Sequence, residues 1–210
     1  YEGLGWDMYA VWKMQNGIPV IRKPQERNAL TVEGSGTAED PYRIATAQDL
    51  VDIAKAMNDQ DARVVGAHLV VVADLDMSGI NFTPINSFSG VLDGQGHSIS
   101  DFTIEDPTVG TQDANYRVAF IRINNGTVKD LVFRSPRITT QALSAGGCSG
   151  AAVIVGDNAH GSLISGCMVL DAVVDAPNLP KAAGIAVMNA RTNNINATIS
   201  KCVFEGDLIC

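Results

Sequence analysis

Short apolar segments, interrupted by glycine and small polar residues, dominate the chain after residue 60. Residues 88–104 read FSGVLDGQGHSISDFTI, with three glycines between apolar positions. Each glycine would weaken a helix by about 1 kcal/mol. Ile99, Phe102 and Ile104 follow at steps of three and then two, which departs from the strict alternation of a simple strand. The pattern predicts a strand that bends at a corner.

The same spacing occurs four times, in SISDFTI, TVKDLVF, LISGCMV and TISKCVF. Each segment carries an aliphatic anchor, an apolar residue three positions later and another five positions later. The two residues after each anchor are small or polar, as a corner requires. A second apolar run, VAFIRI, AAVIVG or AGIAVM, precedes each of the last three segments. The anchors are Ile99, Val128, Ile164 and Ile199.

This repeat predicts an all-β fold, a right-handed parallel β-helix over residues 60–210. A single coil cannot bury its apolar face, whereas stacked coils share one core with strands about 4.8 Å apart. We expect the four anchors to form one column, and Cys167 and Cys202 to stack in line with Leu131 and Phe102. The fourth position after each anchor should point outward, either covered by a loop or forming a contact stripe. Those positions are Thr103, Val132, Met168 and Val203.

One amphipathic helix is predicted over residues 46–58. Thr46 is a favoured N-cap, and Asp49 three residues later makes a near capping box. The helix should cover the N-terminal end of the β-helix, which would otherwise expose core and unpaired strand edges. Its apolar stripe consists of Leu50, Ile53, Ala54 and Met57.

Residues 1–28 are predicted to be the end of a preceding repeat domain plus a linker, with a turn at Asn16-Gly17, and residues 29–210 to be the β-helix domain. The chain starts without Met and stops at GDLIC inside an apolar segment. We therefore expect both ends to be cuts in a longer polypeptide, with the β-helix truncated at its C-terminus.

The composition removes several classes of partner. The net charge is −8, which disfavours nucleic acid and anionic membranes. No stretch approaches the roughly 18 apolar residues of a membrane span. Hydrophobic residues make up 46% and charged residues 18% of the chain, so a large core is expected.

The metal-ligating residue types show no metal-site spacing. Cys148, Cys167, Cys202 and Cys210 match no zinc signature and are expected to be buried thiols, with a disulfide involving Cys148 as the open alternative. His68, His97 and His160 form no HExxH motif, and His97 is expected to be a turn residue. No cofactor is predicted.

Acidic residues are the remaining chemical candidates. A polysaccharide lyase or hydrolase needs paired carboxylates, or a metal with a basic residue, and Asp93, Asp101 and Asp130 are the candidates. Asp101 and Asp130 share the second position after an anchor and could stack on adjacent coils. Asp is also a favoured turn residue, so a structural corner role is preferred and no catalytic residue is assigned. Asp74 and Asp76 are weak calcium candidates near a strand end.

Three stretches resemble the start of GLUG-type β-helix domains of bacterial surface and secreted proteins: GSGTAEDPYRIATAQDLVDIA, LVVVADLDMSGINFTPI and FSGVLDGQGHSISDFTI. Here residues 93–97, DGQGH, replace the usual DGNGH, and Phe82 stands where Trp is common. The resemblance is close over 34–104 and looser over 118–210, where VAFIRI and AAVIVG replace segments like GLFGYI. The opening segment resembles the closing strand of a preceding domain, which implies a tandem array.

The resemblance implies an extracellular location and a role as adhesin, stalk or spacer. The leading hypothesis is a non-enzymatic module of a larger surface protein, whose partners are a glycan, a host or cell-surface protein, or neighbouring domains of the same chain. Recognition would use the side of the stack or the loops at 105–117, 139–150 and 175–182. The alternatives are a carbohydrate-active β-helix and a subunit of a filament or virion fibre.

Overall fold

The computed structural model describes residues 12–15, 18–21, 30–109, 115–144, 147–159, 161–192 and 195–210. Strands dominate these ranges, together with one helix. The first elements are β1 (Trp12–Gln15), β2 (Ile18–Ile21), β3 (Tyr42–Ile44), α1 (Ala47–Asn58), β4 (His68–Val71), β5 (Leu75–Asp76), β6 (Ile85–Phe88), β7 (Val91–Asp93), β8 (Ser98–Ser100) and β9 (Thr103–Asp106). Next come β10 (Arg117–Val118), β11 (Ile121–Asn124), β12 (Thr127–Lys129), β13 (Val132–Arg134), β14 (Arg137–Thr140), β15 (Gly150–Ala152) and β16 (Val155–Asn158). The last are β17 (Leu163–Ser165), β18 (Met168–Asp175), β19 (Ala182–Ala183), β20 (Ala186–Asn189), β21 (Arg191–Thr192), β22 (Ile195–Asn196), β23 (Thr198–Ser200) and β24 (Val203–Ile209).

Four parallel sheets run along the stack, and the chain visits them in order before it starts the next turn. Sheet 1 contains β3, β4, β7, β12, β17 and β23, and sheet 2 contains β5, β8, β9, β13, β14, β18 and β24. Sheet 3 contains β10, β15 and β19, and sheet 4 contains β6, β11, β16 and β20. Three complete turns span residues 91–124, 127–158 and 163–189, with partial turns at 68–88 and 198–209. The predicted parallel β-helix is thereby confirmed.

The predicted column of anchors is correct for three members and wrong for Ile99. In sheet 1, Val128, Ile164 and Ile199 are in register, and Leu92 is the member from the turn before. Ile99 lies one strand further along its turn, in a sheet 2 column with Phe133. That column continues through Val169 and Phe204.

The physical reason is that each complete turn can carry the corner spacing twice. In the turn 127–158, the inward residues after Val128 are Leu131 and Phe133, and Phe133 is itself followed by Ile138 after a second corner. In the turn 91–124, the first corner contains two extra residues, Gln95 and Gly96, which disguise the pattern. In this turn only the second corner, which follows Ile99, shows the three-then-two spacing. The sequence analysis therefore aligned this second corner with the first corners of the three later turns.

Six corners turn through one residue with left-handed backbone, two positions after the inward anchor. Glycine supplies this conformation at one of these corners, and Asp, Ser or Lys supplies it at the others. The corner residues with positive φ are Asp101 (55°), Asp130 (52°), Ser135 (48°), Gly166 (64°), Asp171 (53°) and Lys201 (53°). A non-glycine residue in this conformation costs roughly 1–2 kcal/mol, which the packing on both sides offsets.

Four phenylalanines fill the centre of the core. The rings of Phe82 and Phe120 stack with centroids 4.8 Å apart, and Phe120 meets Phe133 edge-to-face at 5.3 Å. Phe102 lies 5.7 Å from Phe120 and from Phe133. These rings come from three successive turns, so they tie the turns together sideways as well as along the sheets.

Helix α1 covers the N-terminal end of the core, as predicted. Thr46 and Asp49 form a reciprocal capping box, and Leu50, Ile53 and Ala54 are buried. The helix packs against β6 and β3. At its C-terminus the Asn58 side chain accepts a hydrogen bond from the Asn86 backbone N–H (2.8 Å) and donates one to the Pro84 carbonyl (2.9 Å). One side-chain amide thus makes the two hydrogen bonds with the edge of sheet 4 that the backbone of a neighbouring strand would make.

The stack begins earlier than predicted, because β3 precedes the helix and pairs in parallel with β4. The N-terminal segment contains an antiparallel pair, β1 with β2, on either side of the predicted turn at residues 16–17, which lie outside the described residues. The assignment of residues 1–28 to a preceding domain stays a prediction.

Replacement of Phe133 by Asp should lower the free energy of unfolding by more than about 3 kcal/mol, because it buries an unpaired charge where the side chain is fully enclosed. Chemical denaturation measures the change. Val203→Asp is the matched control, since Val203 points outward and is 49% exposed. Equal losses in the two variants would contradict the inward position of Phe133.

Replacement of the corner residue Lys201 by Gly should raise the free energy of unfolding by about 1 kcal/mol, because glycine adopts positive φ without the steric cost. The same change at Ser200, in the adjacent strand β23, should lower it by roughly 0.5–1 kcal/mol. Thermal and urea denaturation of both variants check the opposite signs. A loss of stability in Lys201→Gly would show that the corner does not carry this strain.

Candidate binding surface

The outward face of sheet 1 carries a groove of about 450 Å³ between the Gly-rich N-terminal turn and the first complete turns. We call it the sheet 1 groove. Val70, Val72 and Val91 provide apolar walls, since sheet 1 presents its alternate side chains outward. Its polar lining consists of Arg43, His68, Asp93, Gln95 and Lys129.

The charges of the groove are paired within the protein. Register places Asp93 beside Lys129, and the Lys129 ammonium contacts the Asp93 carboxylate and lies 3.8 Å from Asp130 Oδ2. The hydrogen bond to Asp93 raises the pKa of Lys129. Arg43 Nη1 lies 3.1 Å from Asp40 Oδ1. The groove therefore has little net charge and presents fixed polar groups beside the apolar valine side chains.

This arrangement is poorly suited to acid–base chemistry. A general base needs a pKa near the working pH, and the raised pKa of Lys129 keeps it protonated. Asp93 is held by that lysine. The chemistry supported here is binding through hydrogen bonds and apolar contact.

The three acidic candidates do not come together as expected. Asp130 and Asp101 belong to different corners: the Asp130 N–H donates to the Ser165 carbonyl, and the Asp101 N–H donates to the Arg134 carbonyl. The predicted stacking of Asp101 on Asp130 is therefore wrong, for the same reason that Ile99 was misplaced. Both residues have positive φ, which fits the preferred corner role. Asp93 and Asp130 are instead the pair that share Lys129.

Asp74 and Asp76 each serve a separate backbone turn. Asp74 Oδ1 accepts a hydrogen bond from the Ser98 N–H (2.7 Å) and lies 3.4 Å from His97 Nδ1. Asp76 Oδ1 accepts from the Ser78 N–H (2.9 Å) and from the Ser78 hydroxyl. These hydrogen bonds lower the pKa of both carboxyls. Within the described ranges, no three His, Cys, Asp or Glu side chains gather as metal ligands would.

The cysteines are free thiols in the structure. Cys167 is buried, and burial raises its pKa to about 12, so it is not a nucleophile at neutral pH. Cys167 and Cys202 occupy equivalent positions in line with Leu131, as predicted, but Phe102 belongs to a different corner. Cys210 is exposed, contrary to the expectation of burial.

The predicted outward stripe holds for three of its four positions. Val132, Met168 and Val203 are in register on the outer face of sheet 2, where Met168 is 37% exposed. Thr103 belongs to the next strand, and Ser98 occupies its place.

An asparagine ladder, buried at Asn124 and Asn158 and exposed at Asn189, was missed by the sequence analysis. Asn124, Asn158 and Asn189 are in register in sheet 4. The Asn124 amide donates to Asn158 Oδ1 (2.8 Å), and the Asn158 amide donates to Asn189 Oδ1 (2.9 Å). The sequence did contain a signal, because an Asn ends the second apolar segment of each of three successive turns. Asn is usually interpreted as a turn residue, so the signal was overlooked.

A polar cluster joins sheet 2 to the start of sheet 3. Asp106 Oδ2 accepts hydrogen bonds from the Tyr116 and Thr140 hydroxyls, each at 2.7 Å. Partial burial opposes ionisation of Asp106, but these bonds and those from Thr108 outweigh it and lower its pKa. The cluster fixes the beginning and end of the loop that starts after β9, of which residues 110–114 lie outside the described residues.

Comparison with known proteins finds no matching family model. The chain is 28% identical over 135 residues to halomucin of Haloquadratum walsbyi, covering 57% of this chain and 1% of that protein. It is 30% identical over 132 residues to a protein provisionally named a Gly-rich membrane protein in Evansella cellulosilytica, covering 58% of this chain and 14% of that protein. The chain therefore matches small parts of these relatives.

A solved structure shares the fold. It is a Bacteroides ovatus protein provisionally named an immunoglobulin A1 protease, with a TM-score of 0.53 and 18% identity, covering 85% of this chain and 51% of that one. At this identity the likeness concerns the β-helix fold alone. Across the described part of the chain, no helix has the length and apolar character needed to cross a bilayer.

Replacement of Asp106 by Asn should reduce stability by about 1 kcal/mol at pH 7, because hydrogen bonds to a charged acceptor are stronger than those to a neutral one. The folded pKa of Asp106 lies below its unfolded value, so its contribution is complete above the unfolded pKa and is lost as pH falls through the folded pKa. The difference between wild type and variant should therefore shrink as the pH falls from neutral through the folded pKa of Asp106. Denaturation at several pH values measures it, with exposed Glu105→Gln as control. A difference independent of pH would contradict the role of the charge.

Proposed function

We propose that this chain is a structural β-helix module of a larger extracellular surface protein. The observation that carries the proposal is that the matching segment makes up 1% of halomucin and 14% of the Evansella protein, which are far longer proteins. One relative's name contains the word mucin, and the other's refers to a membrane. A stack of turns with one shared core is a suitable building block for such a protein, because each turn needs contacts only with its neighbours.

The proposal includes adhesion through the sheet 1 groove and kinship with GLUG-type domains. The groove presents paired charges above valine side chains, a combination that suits the hydroxyls and apolar ring faces of a glycan. No catalytic role is proposed for this segment, because the groove lysine is held protonated and its acid is ion-paired. The structural neighbour named as a protease shares only the fold with this chain, so its name does not support a protease activity here.

The test separates binding from cleavage. The purified chain is incubated with a panel of immobilised neutral and acidic polysaccharides, and both retained protein and newly formed reducing ends are measured. We expect retention on at least one polysaccharide, no new reducing ends, and at least about tenfold weaker retention when His68 and Gln95 are both changed to Ala.

Arg134→Ala with Arg137→Ala is the matched control, because both arginines are exposed on sheet 2. New reducing ends in proportion to the amount of protein would overturn the non-enzymatic proposal. If retention were unaffected by the His68 and Gln95 changes but lost in the Arg134 and Arg137 variant, the adhesive surface would lie on sheet 2 and not in the sheet 1 groove. Absence of retention on every surface would leave the spacer role and remove adhesion.

A further inference from the structure

Two arginines flank the corner between sheets 3 and 4. Arg117 begins β10 and Arg122 lies in β11 of the same turn. In the next turn, Gly150 is paired with Arg117, and Gly156 lies between the partners of Ile121 and Ile123, opposite Arg122. Two arginines of one turn are thus in register with two glycines of the next. We call this feature the arginine corner.

Gly156 makes room for the side chain of Arg117. A Cβ atom at Gly156 would lie 2.6 Å from Arg117 Cβ and 3.0 Å from its Cγ, closer than real contacts allow. The stem of Arg117 therefore lies across the backbone of the next turn. As a result Arg117 is only 7% exposed, although it carries a full positive charge.

The buried nitrogens of the corner have no hydrogen-bond partner. They are Arg117 Nε, Arg117 Nη1 and Arg122 Nε. None of the ion pairs between described residues includes either arginine. Burial of a guanidinium without hydrogen bonds is energetically unfavourable, so native proteins normally satisfy such groups with an acid, water or a bound ion.

The nearby described acids do not fill this role. The Asp106 carboxylate accepts hydrogen bonds from the Tyr116 and Thr140 hydroxyls. The Arg122 guanidinium carbon lies over the Tyr116 ring, 5.9 Å from its centroid. Asp157, paired in register with Ile123, has a buried Oδ1 that itself lacks a partner. The corner thus holds donors that no described acceptor meets.

We propose that the arginine corner binds one small oxyanion, the carboxylate of an acidic sugar or a sulfate group. Guanidinium groups bind planar and tetrahedral oxyanions through charge-assisted hydrogen bonds, and Arg117 alone holds two buried nitrogens without a partner. The net charge of −8 disfavours general attraction of anions, so binding here requires a local site. The oxyanion is either a free ion or a group carried on a glycan chain.

The test is the melting temperature of the whole chain, titrated with sodium sulfate, sodium glucuronate or a glucuronate-containing oligosaccharide at ionic strength matched with sodium chloride. We expect a saturable rise with at least one of them, in the millimolar range or below. Tighter half-saturation for the oligosaccharide than for free glucuronate would assign the group to a glycan, and equal or weaker values would assign it to a free ion.

Arg117→Met is the decisive variant, because it keeps the stem and removes the charge. In chloride it should melt at or above the wild-type temperature, since an unpaired buried charge is removed. It should also lose the saturable rise, and Arg122→Gln should weaken half-saturation by about tenfold. Arg134→Met, on an exposed face, should respond as wild type does and reports the general stabilising effect of sulfate.

Two results would overturn the proposal. The first is a rise with oxyanions that is absent, unsaturable, or equal in Arg117→Met and wild type. The second is a lower melting temperature of Arg117→Met than wild type in chloride without any oxyanion response, which would show that the protein itself satisfies the guanidinium.

Discussion

The structure depends on side chains of one turn being covered by equivalent side chains of the turns on either side. Leu92, Val128 and Ile164 are almost completely buried because each lies between neighbours from adjacent strands in register. No turn could enclose these residues alone, since it is one strand thick. The register of parallel strands, the corner conformation and the phenylalanine cluster are therefore parts of one requirement: that every turn present its apolar side chains at the same height and direction.

The sequence revealed the fold because this requirement imposes a period. It misled about register because the two corners of a turn obey the same local rule. Val128, Leu131 and Phe133 show the same spacing as Ile99, Phe102 and Ile104, yet they occupy different corners. Only the pairing of strands distinguishes them, and pairing is a long-range property. Helix α1, in contrast, was predicted almost to the residue, since its cap and apolar stripe are local.

The surfaces were harder to foresee than the core. Asp93 and Lys129 form an ion pair because strands in register bring residues of different turns together. No residue near either of them in the sequence indicates this pairing. The asparagine ladder and the arginine corner arise in the same way. In both, a polar residue becomes buried against the adjacent turn: Asn124 against the Asn158 side chain, and Arg117 against Gly156. Single-sequence patterns record which residues are polar, but not which turn lies against them.

The side chain of Asn58 gives the stack a direction. Its amide satisfies the Asn86 N–H and the Pro84 carbonyl at the edge of sheet 4 that α1 covers, so these two groups are not available to a further strand. A chain synthesised from its N-terminus completes this closed end first, and each later turn then meets a finished surface on which to align. Folding can therefore follow translation turn by turn, from the end that α1 covers toward the C-terminus.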